Sequence, residues 1–272
     1  MEPRSRSHIG VGIRDQGLSE DSSIEAPKET GSSPCEWDSP LLKVVDETPT
    51  TRTFYFDIPD TDFSFRPGQY VVLTLPGVGD PLGASRTFSI ASAPEDREAL
   101  AITTRRGISP FKTELFGAKP GREFRLWGPF GTFVVEEGRP AILLGGGIGI
   151  TPFRSMIRHA VLTGSRTPIM LFYSNRTVEE IVYRQELEEL ASISSLFRWI
   201  PIVTRPAESR TRWSGETRHL ARSVIQEYIV GLANPLYYVC GPPGMVLELQ
   251  KVLTGDLLIE EKDIRTEVFQ GY

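Results

Sequence analysis

Cysteine is nearly missing from the 272 residues: only Cys35 and Cys240 occur, one in a polar leading segment and one inside a glycine–proline motif. A disulfide framework is therefore not expected, and no cysteine cluster has iron–sulfur spacing. Histidine is equally sparse. His8, His159 and His219 are too scattered for a metal site, so no metal is expected and they read as surface or packing residues. Long apolar runs are missing as well. Those present are strand-sized, which excludes a transmembrane helix. A large charge excess is also lacking: the net charge is -5, which gives no reason to expect nucleic acid or an anionic membrane as partner. No internal repeat is visible.

What is present divides into three textures. Residues 1–37 are rich in Ser, Glu, Arg, Pro and Gly and poor in apolar residues, which predicts a disordered tail. They lack the apolar core of a secretory signal and carry too many acids for a transit peptide, so a cytoplasmic location is expected. Residues 38–138 hold short β-branched or aromatic runs ("LLKVVDET", "TRTFYFDI", "QYVVLTL", "RTFSIAS", "LAITTRR", "EFRLWGPFGTFVV") parted by Pro, Gly and Asp turns. That spacing predicts an antiparallel β-barrel or sandwich. One helix, "SPFKTELFG", interrupts it, with Ser109 as N-cap and Pro110 in the first turn. In residues 139–272 strands ("PAILLGG", "PIMLFYS", "FRWIPIV", "PLYYVCG") alternate with helical stretches ("TPFRSMIRHAVLTG", "EEIVYRQELEELASI", "TRHLARSVIQEYIV", "PPGMVLELQKVLTGD"). This βαβ series predicts an open, doubly wound, mostly parallel α/β sheet, closed by a short strand in "IRTEVFQGY".

The most informative junction is "LLGGGIGITPF". Ligands of open α/β sheets bind at the carboxyl ends of the strands. Glycines there allow close backbone approach, and the following helix N-terminus favours an anion, which suits a pyrophosphate. The loop departs from the dinucleotide fingerprint, because Ile150 stands where the third glycine belongs and no Gly-Lys-Ser/Thr follows. The acid that would meet a ribose 2′-hydroxyl is missing too: "FYSNRT" offers Ser174, Asn175 and Arg176, and a basic residue favours a 2′-phosphate. A glycine-rich turn without ligand is the alternative. In the first half, "RRGISPFKTEL" puts Gly107, Ile108 and Ser109 before a helix, a second N-terminus open to an anion.

Four motifs in order, "RTFSIAS", "GGGIGITPF", "YYVCGPPGM" and a terminal "EVF" followed by "QGY", resemble the ferredoxin–NADP reductase superfamily of FAD-dependent oxidoreductases. The resemblance covers about residues 38–272. It implies an antiparallel FAD-binding barrel, 38–138, followed by an NAD(P)-binding α/β domain, 139–272. It implies that Arg86 binds the FAD pyrophosphate, with Gly107, Ile108 and Ser109 helping. Phe88 covers one flavin face, Thr87 and Ser89 line the flavin, and the Ser89 hydroxyl stands near N5. Gly147, Gly149 and Thr151 meet the nicotinamide nucleotide. Cys240 lies beside the nicotinamide C4 in a pocket shaped by Gly241 and Pro242, Glu267 supports the flavin site, and Phe269 stacks on the other flavin face. The chain runs on through Gln270 and Gly271 to Tyr272, which could share that stacking. On its own, Cys240 also reads as a buried strand cysteine acting as a small hydrophobe.

Arg176 and Arg205 resemble arginines that read a 2′-phosphate, which implies NADPH, with NADH possible. Their other reading is surface pairing with Glu179 or Glu208. The function expected is hydride transfer between NADPH and bound FAD, with single electrons passing to ferredoxin, flavodoxin or another electron-transfer protein, by a monomer. The alternatives are an NADH-dependent reductase component of an oxygenase, desaturase or hydrogenase system, or a flavin-binding regulatory subunit with little turnover. Arg105 and Arg106 could meet an acidic ferredoxin, or they are solvated charges or FAD contacts.

Overall fold

A computed structural model of the chain describes residues 33–59 and 63–269. Residues 1–32 of the tail expected over 1–37, and Tyr272, lie outside the described residues.

The first half forms six antiparallel strands: β1 (Cys35–Thr48), β2 (Thr51–Phe56), β3 (Tyr70–Thr74), β4 (Ser85–Ser89), β5 (Leu100–Arg105) and β6 (Glu123–Phe130). Their order is β4-β3-β6-β1-β2-β5. Just past β4, Ile90 bridges Ile102 of β5 and Ala91 N donates to Ala101 O, so the two outer strands of the order meet and the sheet closes into a barrel. The interior is filled by alternate residues, among them Phe54, Phe56, Val71, Leu73, Ile102, Phe124 and Leu126, as the two-residue strand period requires. Helix α1 (Pro110–Gly117) plugs one end, burying Phe111, Leu115 and Phe116. Strand β1 starts at Cys35, inside the segment assigned to the tail. Trp37 explains this: its ring NH donates to Asp57 O and its face packs on Phe63. Strand β6 ends earlier than expected, where Gly131 turns the chain at a φ of 96°.

The second half is a five-stranded parallel sheet ordered β11-β10-β7-β8-β9. Its strands are β7 (Ala141–Gly146), β8 (Ile169–Asn175), β9 (Phe197–Val203), β10 (Leu236–Gly241) and β11 (Ile264–Val268). One face packs against α2 (Ile150–Leu162) and α3 (Arg184–Ile193), the other against α4 (Arg222–Tyr228) and α5 (Pro243–Lys251). This double cover is why the strands read as continuous apolar runs. The chain runs from central β7 outward to β9, then returns to β10 on the other side of β7. The topological switch point, where such sheets bind ligands, therefore lies between β7 and β10.

Two helices are shorter than the sequence predicts. The stretch from Glu179 breaks into a 3-10 turn (Val178–Glu180) and then α3, because Tyr183 takes a left-handed conformation, φ 60°, and sends its ring inward. Its hydroxyl meets those of Thr53 and Thr103 in the barrel. The stretch from Thr217 becomes helical only at Arg222. Before that, the Glu216 carboxylate accepts the N–H groups of Thr217 and Arg218, and Glu216 O accepts from Val203 N, pinning the segment to β9.

Candidate functional site: a cavity between barrel and switch point

Helix α2 ties the two sheets together. Arg154 lies 4.5 Å over the Tyr183 ring, donates to both Glu186 carboxylate oxygens (2.7 and 3.1 Å) and to Ala91 O (2.8 Å), while Ser155 Oγ donates to Ser92 O (2.6 Å). Ala91 and Ser92 follow β4 after the single residue Ile90. The strand carrying "RTFS" is thereby fixed against the helix that follows the glycine loop.

Between them opens a cavity of about 770 Å³. It is lined by Arg86, Thr87, Phe88 and Ser89 of β4, by Gly107, Ile108 and Ser109 before α1, by Thr151 of α2, and by Glu267 and Phe269 at the chain's end. These ten residues, singled out in sequence, come together from four separate segments. Strand β11 brings the last two: it pairs in parallel with β10, Cys240 opposite Glu267, and Phe269 N donates to Gly241 O (3.1 Å).

Other named residues lie outside this lining. Cys240 is fully buried, and Phe269 packs against the cluster that contains it. Gly147 and Gly149 form a 3-10 turn ahead of α2. Gly147 has φ 53°, a left-handed value that favours glycine. At Gly149 a Cβ would stand 2.3 Å from Cys240 O, so only glycine lets the β7 and β10 loops touch. Gly241 and Pro242 continue β10 at the switch point. Arg176 and Arg205 sit together beyond β8 and β9, joined by Arg205 N donating to Arg176 O (2.8 Å), and both are exposed. Arg205 pairs with Glu208 (3.4 Å), whereas Glu179 holds the N–H groups of Arg210 and Thr211 instead of an arginine side chain.

One expectation is corrected. The N-terminus of α1 is not open to an anion. Phe111 N donates to the Asp80 carboxylate (2.9 Å) and Lys112 N to Ser109 Oγ (3.2 Å). Asp80 also takes Leu82 N (2.9 Å) and pairs with Arg86 (2.8 Å). Backbone donors lead the influences that hold its carboxyl below the usual range. The guanidinium of Arg86 stands at this end, 5.0 Å over the Phe111 ring. Arg105 and Arg106 are also engaged, the first with Glu180 (3.5 Å) and the second over the Phe116 ring.

The electrostatics of the cavity are unusual for apolar surroundings. Ser89 Oγ and Glu267 Oε2 are buried and have no hydrogen-bond partner, a costly condition for which a ligand is the natural remedy. Burial pushes the Glu267 carboxyl up to about 7. Burial, then the neighbouring Glu267, raises the Cys240 thiol well above its ordinary value, so it stays protonated at neutral pH. Lys112 also lines the cavity. Burial, then Arg86, lowers its ammonium to about 8. Sequence reading missed Lys112 and Asp80. The N-cap at Ser109 does place Lys112 in the first turn of α1, but Asp80 lies in a stretch legible only as a turn.

The comparisons with known proteins fit this geometry. The family model described as an oxidoreductase NAD-binding domain matches residues 143–251, from β7 to the end of α5. Ferredoxin–NADP reductase B of Sorangium cellulosum (strain So ce56) is 32% identical over 237 residues, covering 84% of this chain and 95% of that protein. The chain belongs to the ferredoxin–NADP reductase superfamily. It is an FAD-dependent NAD(P)H oxidoreductase that exchanges electrons with a separate partner. The reductase component of propane 2-monooxygenase from Mycolicibacterium goodii is 30% identical over 68% of this chain but only 53% of its own length. Two solved structures share the fold. The Amycolatopsis cytochrome P450 reductase GcoB has a TM-score of 0.75 at 23% identity, over 92% of this chain and 74% of that one. A ferredoxin–NADP+ reductase from Neisseria gonorrhoeae with bound FAD and NADP has 0.70 at 21%, over 86% and 98%. Among the described residues no helix is long and apolar enough to cross a membrane, and no group of side chains could hold a metal ion.

The cavity residues fit a flavin. Phe88 offers an aromatic face, the two orphaned oxygens offer polar contacts, Arg86 supplies positive charge for a pyrophosphate, and Lys112 adds a second cation to the cavity.

Proposed function

We propose that this chain moves a hydride between NADPH and FAD and passes single electrons to a separate carrier of the ferredoxin or flavodoxin kind. The observation that carries the reading is the cavity itself: Phe88 and Ser89 from the barrel meet Glu267 and Phe269 from the end of the parallel sheet, beside the switch point. In this reading residues 38–138 hold the FAD and residues 139–272 the nicotinamide nucleotide. Bound FAD supplies the chemistry that connects a two-electron donor to one-electron acceptors.

The residues divide the work. Arg86 neutralises the pyrophosphate, and Gly107, Ile108 and Ser109 line its side of the cavity. Thr87 and Ser89 line the flavin. Phe88 holds one face of the isoalloxazine and Phe269 shields the other from water. Phe269 must swing aside for the nicotinamide to stack, which makes it a gate. Its departure uncovers the pocket formed by Cys240, Gly241 and Pro242 at the end of β10. Gly147, Gly149 and Thr151 carry the nucleotide phosphates. Arg176 and Arg205 receive the 2′-phosphate, Arg205 by exchanging its exposed partner Glu208. With its carboxyl near neutrality, Glu267 can hold or release a proton beside Ser89 at physiological pH.

The test is direct. Purified protein should be yellow with an FAD spectrum and should bleach anaerobically with NADPH much faster than with NADH. Protein that stays colourless after reconstitution with FAD would sink the reading. Faster bleaching by NADH would overturn only the nucleotide choice. That outcome would favour a reductase component of an oxygenase system, a reading the similarity to the propane 2-monooxygenase reductase component supports.

A further inference from the structure

Lys112 is the one lysine lining the described cavity, and nothing in the family motifs calls for it. Its ammonium lies 5.1 Å from the centre of the Phe88 ring and donates to the Thr104 hydroxyl on β5. The stem reaches this position past Gly107, where a Cβ would stand 3.1 Å from Lys112 Cγ. Among the described residues no carboxylate lies within ion-pair distance of it. Asp80, the nearby acid, is committed to Arg86 and to two backbone N–H groups. A half-buried cation without a counter-charge is costly to the fold. Its retention points to an anionic charge that arrives with the ligand.

We propose that Lys112 is the cation that balances the negative charge left on the flavin ring by hydride transfer, and that it thereby sets the reduction potential of the site. The inference rests on the flavin reading above. The hydride brings two electrons and one proton from nicotinamide C4 to flavin N5. The oxidised nicotinamide leaves with its positive charge, and the ring keeps one net negative charge. Arg86, held by Asp80 and by the carbonyls of Leu82, Gly83 and Ser85, is tied to the turn before β4. Lys112 instead lies against Phe88, the residue that covers the isoalloxazine, so its charge acts on the ring rather than on the phosphates.

The experiment compares wild type with Lys112→Met and Lys112→Arg, each as FAD-loaded protein. Midpoint potentials are read by dye equilibration at pH 7, and FAD affinity by fluorescence titration. Removing the unit charge that lies 5.1 Å from the Phe88 ring centre should shift the equilibrium against reduced flavin by on the order of tenfold, or about 30 mV for a two-electron couple. FAD affinity should change by a smaller factor, and Lys112→Arg should restore the wild-type potential. If Lys112→Met does not fold, Thr104→Val, which removes the ammonium's acceptor, should shift the potential in the same direction by a smaller amount. An unchanged potential with weakened FAD binding would overturn the proposal and assign the charge to the phosphates. A wild-type chain that takes up no FAD would instead overturn the functional reading, and this inference with it.

Discussion

The Glu267 carboxyl gives the most demanding test of the site, because its burden on the fold has a sign that depends on pH. Burial raises it from an ordinary 4.5 to about 7. Its charged form is therefore penalised in the folded state. A shift of that size is worth roughly 3 kcal/mol at most. Below pH 4.5 the group is protonated both folded and unfolded, and there is no penalty. Between 4.5 and 7 the folded chain holds the proton that the unfolded chain has released, so stability falls as pH rises. Above 7 the penalty is complete. Glu267→Gln removes the ionisation while keeping the shape. The variant should match wild type near pH 4.5 and exceed it by about 2–3 kcal/mol at pH 8. Urea unfolding followed by circular dichroism at pH 4.5, 6 and 8 reads this directly. A difference constant across that range would show that the carboxyl is not strained by burial. Its role as a proton-holding group near neutrality would then fail too.

Three further outcomes follow from the same geometry. Cys240→Ala should keep FAD but slow flavin reduction by NADPH in stopped flow, since the thiol stands at the end of β10 where the nicotinamide would enter; an unchanged rate refutes that role. Replacing Arg176 and Arg205 by Ala should raise the KM for NADPH more than that for NADH, and equal effects would mean that neither reads the 2′-phosphate. Arg154→Met should destabilise the protein by about 3 kcal/mol, because it removes a buried cation from Glu186 and Ala91 O. A loss under about 1 kcal/mol in denaturant unfolding would show that this seam contributes little to stability.

The division into an antiparallel barrel and a parallel sheet was legible in the sequence because each half obeys its own period. The strand runs of the first half are broken by glycine and proline turns, while the apolar runs of the second alternate with helices. Ser109 read correctly as a cap because a serine ahead of proline has few other uses. Helix starts were less legible where tertiary contacts override local preference. Tyr183 sits in a stretch whose pattern reads as helix, yet its ring is taken by Thr53 and Thr103 from the other half of the chain. No local rule could supply those partners. The same holds for Asp80, whose value lies in reaching the first turn of α1, 31 residues onward.

That long-range reach also explains why the site is assembled from separate motifs. The cavity takes β4, the segment before α1, the start of α2 and the end of β11. No two of these are joined by a short turn. Their mutual placement depends on the Arg154 and Ser155 contacts to Ala91 and Ser92, and on the Cys240–Glu267 register between β10 and β11. A one-residue slip of β11 would turn Glu267 to the opposite face of the sheet. Both the orphaned carboxylate and the Phe269 ring would then leave the cavity. The register is held by Phe269 N donating to Gly241 O beyond the last strand pair. Terminal residues thus fix the geometry of the site as well as its chemistry. Substitutions at Thr266, which is exposed and does not line the cavity, should therefore be tolerated where those at Glu267 and Phe269 are not. Equal loss of flavin binding from Thr266→Val and Phe269→Ala would show that the strand acts only as a structural edge.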